Sequence, residues 1–123
     1  MHSPLKDVAG MLRSFSYAAH AAFMAHAARR PQSATSLEPW AILWERCVSA
    51  VFLKAYRAAT KGEQLLPEDS ATLARLLDAY LMDKALYELS YELGNRPTWV
   101  RIPLLGILSL VQNWRADPPR ISG

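Results

Sequence analysis

Apolar positions recur at spacings of three and four along nearly the whole chain, the rhythm of amphipathic helices. Leu5, Val8, Leu12, Phe15, Ala19, Ala22 and Phe23 keep this rhythm. They predict a first long helix from Pro4 to Arg29, within segment 1–30. Pro4 suits a first turn, where its missing N–H is no loss, and Asp7 complements the helix dipole there. Pro31 and the polar run Gln32 to Ser36 then predict a loop. A second helix is expected over 37–60, with Trp40, Trp44, Cys47, Val48, Val51, Phe52, Ala55 and Tyr56 on its inner face and Lys61–Gly62 closing it. The third, over 67–93, starts near Pro67 or Asp69. Gly94 ends it, and Pro97 prevents resumption. Pro103 opens a short fourth helix over 103–114, ahead of a fraying tail, ADPPRISG. There is no internal repeat and no alternating run long enough for a sheet. The pattern therefore predicts an all-α fold: a helical bundle of three long helices plus a short C-terminal helix, in one domain spanning 1–123.

The third helix has two apolar stripes. At about 100° per residue, Leu73, Leu77, Tyr80 and Leu81 point one way, and Lys84, Tyr87, Glu88 and Tyr91 continue their direction. Met82, Leu86, Leu89 and Leu93 line roughly the opposite side. A helix apolar on both sides is expected at the centre of its domain.

Composition narrows the class without naming a function. The chain has 123 residues, enough for one core, and its 51% hydrophobic and 20% charged content excludes disorder. The net charge is +3, and Arg29, Arg30, Arg46, Lys54, Arg57 and Arg115 look scattered along the chain. A nucleic-acid partner, which needs a clustered basic face, is not expected. Cys47 is the single cysteine, so no internal disulfide forms and a reducing compartment is implied. Among Trp44, Val48 and Val51 it reads as a buried, inert thiol. The start, MHSPLKDVAG, lacks the apolar core of a signal peptide. The apolar run from Tyr17 to Ala28 is interrupted by His20 and His26 and falls short of the ~20 residues of a membrane span. The expectation is a cytoplasmic protein with no membrane partner.

Residues 83–104, DKALYELSYELGNRPTWVRIPL, concentrate the candidate chemistry. Lys84, Tyr87, Glu88, Tyr91, Glu92, Arg96 and Trp99 could form a sugar site, with polar groups on hydroxyls and rings on the apolar pyranose faces. They could equally be structural: a Lys84–Glu88 ion pair, Arg96 capping the helix end, Trp99 as a core anchor. Spacing alone favours the structural reading. No catalytic or metal-binding residue stands out. His2, His20 and His26 form no ligand set and read as surface or boundary residues. Ser14, Ser16 and Ser90 have no positioned base, the glycines form no phosphate loop, and Glu68–Asp69 belong to a helix start.

Two segments, SPLKDVAGMLRSFSYAA (3–19) and DKALYELSYELGNRPTWVRIPLLGIL (83–108), resemble the C-terminal lobe of bacterial maltokinases. The helices between them are similar only in pattern. In the second segment the Lys-Ala-x-Tyr-Glu, Tyr-Glu, Arg-Pro-x-Trp and Ile-Pro elements occur in order. Departures are Asp83 where the family usually has Glu, Gly94 where Asn is common, and Leu105 where a basic residue is common.

The resemblance implies a kinase-like fold, similar to aminoglycoside phosphotransferases, of which this chain is the helical C-lobe part. It implies transfer of the γ-phosphate of ATP to maltose, giving maltose 1-phosphate for glucan synthesis, with ATP and Mg²⁺ as cofactors of the intact enzyme. Tyr87, Glu88, Tyr91, Glu92 and Arg96 are then sugar contacts, supported by Lys84 and Trp99. Asp7 would steady the catalytic loop as a structural residue. Phosphoryl transfer also needs a nucleotide lysine, a catalytic Asp and a metal-binding Asp, and the family places these ahead of the segment that begins here. The chain alone is thus expected to be inactive, to bind maltose weakly or not at all, and to need a nucleotide-binding N-lobe as partner. Some members are fused to trehalose synthase, which is a further implied partner. Two other readings stay open: a non-catalytic helical interaction or regulatory module on the same scaffold, and a relative acting on another hydroxylated acceptor.

Overall fold

The computed structural model describes residues 4–60 and 70–116. Among these residues the protein has four α-helices, two short 3₁₀ turns and no strand, so the chain is all-α. The helices are α1 (Pro4–Arg29), α2 (Ala34–Ala59), α3 (Ser70–Asn95) and α4 (Arg101–Ala116). The turns are Pro31–Ser33, between α1 and α2, and Pro97–Trp99, between α3 and α4. The expected stop at Lys61–Gly62, the start at Pro67 or Asp69, His2, Glu68–Asp69 and the tail from Asp117 lie outside the described residues.

Helix boundaries differ from the sequence expectation where local chemistry explains it. α2 begins at Ala34 rather than Leu37, which places Pro39 inside the helix. Pro39 has no N–H to offer the Thr35 carbonyl one turn back, and Thr35 is exposed to solvent. α3 runs through Gly94 to Asn95. A Cβ at Gly94 would meet nothing within 4 Å, so no left-handed stop or close approach requires glycine there. The helix ends because of Pro97, which disfavours helical backbone at the residue before it. Arg96 accordingly leaves the helix at φ −140°, ψ 74°.

The chain divides into two compact units, Met1–Gly10 with Leu66–Gly123, and Met11–Leu65. In the first unit α3 and α4 form an antiparallel hairpin, in which the Trp114 indole N–H donates to Asp78 Oδ2 at 3.3 Å. Its interior holds Leu5, Val8, Ala9, Ala85, Ile102, Pro103 and Leu110. Ile102 has no exposed surface, and burial of such a side chain contributes about 2 kcal/mol. The buried face of α3 is Ala85, Glu88 and Glu92, while Leu86, Leu93, Tyr87 and Tyr91 are exposed. α3 is therefore not the doubly covered central helix that its two apolar stripes suggest. Its partner covers one face, and two carboxylates share that face.

In the second unit the rest of α1 pairs with α2, again antiparallel. Phe15 meets Phe52 edge-on at 5.5 Å between ring centroids, and Phe52 stacks on Tyr56 at 6.2 Å. At the closed end Ser33 donates its hydroxyl hydrogen to the Arg30 carbonyl (3.1 Å), and its oxygen lies 3.0 Å from His26 Nε2. A hydroxyl has one hydrogen, so Nε2 is the donor in that second contact. Only three of the eight residues expected on the inner face of α2 are covered. Val48, Phe52 and Tyr56 are half-buried, whereas Trp40, Trp44, Cys47, Val51 and Ala55 are exposed. Cys47 is thus an exposed thiol rather than a buried one. The reason is geometric: the apolar residues of α2 occupy two stripes, and α1 covers the one that carries Glu45, Val48, Phe52 and Tyr56.

Candidate functional site

The end of α3 and the turn after it gather part of the predicted sugar set. With its backbone turned out of the helix, Arg96 folds its side chain back over the last turn. Nε and Nη2 donate to the two carboxylate oxygens of Glu92, each at 2.9 Å. This fork-on-fork geometry is the strong form of an Arg–carboxylate pair. Glu92 is fully buried, while Arg96 is nearly half exposed. The 3₁₀ turn brings Trp99 under the guanidinium, 4.1 Å from carbon to ring centroid, and Tyr91 lies 5.9 Å away. Asn95 caps the same turn by donating to the Tyr91 carbonyl at 2.8 Å.

The remaining predicted residues occupy different surroundings. Lys84 and Tyr87 are exposed, with the ammonium 5.6 Å from the ring centroid. Glu88 is buried on the same helix face as Glu92, one turn earlier. Asp7 is exposed in the first turn of α1. The structure therefore joins Tyr91, Glu92, Arg96 and Trp99 in one cluster and sets Lys84 with Tyr87 just before it. A ligand approaching from solvent reaches the rings of Tyr87 and Tyr91 and the two cations. Glu92 orients the guanidinium from behind. Such an arrangement suits stacking and hydrogen bonding to a polar, hydroxylated ligand, and it contains no nucleophile–base pair.

A second polar cluster went unread in the sequence. Arg13, Ser16 and His20 are buried along one face of α1, and His20 Nε2 stands 3.4 Å from Glu45 Oε2 of α2. His20 is thus a core histidine, not a surface or boundary one. Burial raises the pKa of Glu45, but hydrogen bonds from His20 and Ser16 and the charges of His20 and Arg13 outweigh it, leaving the carboxyl below its ordinary 4.5. Ser16 bonds the Glu45 carboxylate, and with His20 it ties α1 to α2 as a clamp between helices. The available signal was positional: residues 13, 16 and 20 share one helix face.

Among the described residues no group of three or more His, Cys, Asp or Glu could hold a metal ion. No helix there is long and apolar enough to cross a membrane. No protein-family model matches the chain, and no solved structure matches it.

Proposed function

We propose that this chain is the acceptor-binding, C-terminal part of a maltokinase, the enzyme that transfers the ATP γ-phosphate to maltose. The observation that supports this is the cluster at the end of α3. The ordered Tyr-Glu, Arg-Pro-x-Trp elements fold so that Glu92 holds Arg96 over the Trp99 ring, beside two exposed tyrosines. In this reading Tyr87 and Tyr91 cover the apolar faces of the sugar, and Arg96 and Lys84 bond its hydroxyls. Glu92 and Trp99 position Arg96, and Glu88 anchors the preceding turn. Phosphoryl transfer would come from an N-lobe supplying the nucleotide lysine, the catalytic Asp and the Mg²⁺ ligands. The protein's place would be the cytoplasm.

A chimera tests the proposal. The corresponding segment of an active maltokinase is replaced by residues 1–123, and maltose 1-phosphate formation is measured. Activity that loses affinity for maltose on Tyr91→Ala, by about tenfold in KM, supports the reading. A folded chimera that binds ATP but leaves maltose unphosphorylated overturns it.

A second reading has its own support. Glu88 and Glu92, two of the predicted sugar contacts, are buried, as they would be in a helical module that keeps the scaffold without the sugar site. Tight binding of a macromolecular partner together with an inactive chimera would favour that module.

A further inference from the structure

α2 carries an apolar face that nothing in its own unit covers. Trp40, Trp44, Cys47 and Val51 follow one another at helical spacing and are all exposed, Trp40 by 66% and Val51 by 69%. A surface depression of about 480 Å³ on the flank of α2 is lined by Thr35, Glu38, Pro39, Ile42, Leu43 and Arg46, so one half-buried carboxylate borders it beside the exposed guanidinium. The charges of α2 are sorted by side. Arg46, Lys54 and Arg57 are exposed, and on a helix they fall within about 80° of arc along one flank of the stripe. Glu38 and Glu45 are half-buried on the side turned toward α1.

The sorting extends to the whole unit. Residues 11–65 contain seven basic and three acidic residues, a net of +4, while the other residues contain seven and eight, a net of −1. The basic residues divide evenly between the units, but only three of the eleven acidic residues lie in 11–65, so this unit carries the net positive charge, and three of its cations flank one apolar stripe.

This combination selects among possible occupants. A protein partner usually meets an apolar core with a rim of mixed polar groups, but the exposed rim here is of one sign. An antiparallel second copy would set the cationic flank against itself, which is repulsive. A bilayer with anionic headgroups supplies a uniformly negative plane over an apolar layer. Tryptophan favours that boundary, and Arg and Lys reach from apolar stems to headgroups. We infer that the exposed face of α2 docks on an anionic membrane surface. The contact is peripheral, needs no spanning helix, departs from the sequence expectation of no membrane partner, and does not rest on the sugar-site proposal.

The test uses the full chain with vesicles of phosphatidylcholine, with and without phosphatidylglycerol. Cys47, the single cysteine, is labelled with a polarity-sensitive fluorophore, giving a readout from the middle of the stripe. Expected are co-sedimentation with the anionic vesicles only, a blue shift of the label, and weakening by salt. Lys54→Gln and Arg57→Gln should each weaken binding about fivefold, and Trp40→Ser about tenfold. These residues are exposed, so circular dichroism should show unchanged helix, and the labelled parent chain gives the answer if a variant misfolds. No binding to anionic vesicles, equal binding to neutral ones, or binding with no shift of the label would overturn the inference. So would concentration-dependent self-association that shields Cys47 while vesicles stay bare.

Discussion

In the α3–α4 hairpin, Glu92 is fully buried and meets a guanidinium from the next turn of its own chain, whereas in the α1–α2 hairpin Glu45 is met across helices by His20 and Ser16. Both arrangements satisfy a carboxylate that would otherwise be costly inside. They differ in what must already be folded. The Glu92–Arg96 pair needs only the end of α3 and the bend imposed by Pro97. The Glu45 cluster needs α1 and α2 docked in one register. A local pair can orient a side chain for binding, and an interhelical one can specify how two helices meet.

The largest effect that tests this contrast is at Arg96. Arg96→Met leaves a fully buried carboxylate without its bidentate partner and should lower stability by about 3 kcal/mol, read by chemical denaturation followed by circular dichroism. A loss under about 1 kcal/mol would mean that the pair is dispensable to the fold. In the other hairpin Ser16→Ala removes one hydrogen bond to Glu45 and should cost about 1 kcal/mol. A neutral result there would count against the interhelical clamp.

The pH dependence separates the two further. Folding holds the Glu45 carboxyl below its ordinary 4.5. Its stabilisation is therefore present above that value and lost as pH falls through the lower, folded one. Glu45→Gln should flatten this acid limb of the stability–pH curve, and an unchanged limb would show that other carboxylates carry it. The smallest effect expected is a gain. Gly94→Ala lies in helical backbone with open space around it and should stabilise the protein by about 0.7 kcal/mol. Destabilisation would restore the glycine as a true helix stop.

Much of the fold is legible in the chain because its causes are local. The three- and four-residue apolar rhythm marks all four helices, and Pro31 and Pro97 separate each pair. The i,i+4 relation of Glu92 and Arg96 is likewise present in the spacing, although it could not show that the carboxylate turns inward and the guanidinium lies on Trp99. Gly94 does not end α3, which continues to Asn95, since glycine permits a helix to stop without requiring it. The grouping of Ser16, His20 and Glu45 is not legible in the sequence, because a polar residue on a helix reads as solvent-facing until its partner on another helix is known.

What the sequence determined by itself is therefore the all-α class, the breaks between helices and the group of side chains near the end of α3, all set by backbone preferences and contacts within one or two turns. Tertiary structure alone decided which of the two apolar stripes on α2 is covered, that Cys47 faces solvent, that His20 is inside, and that Glu88 and Glu92 point inward. Burial depends on which neighbour a helix face meets. When a helix has two faces of similar apolar character, only the packed partner chooses between them.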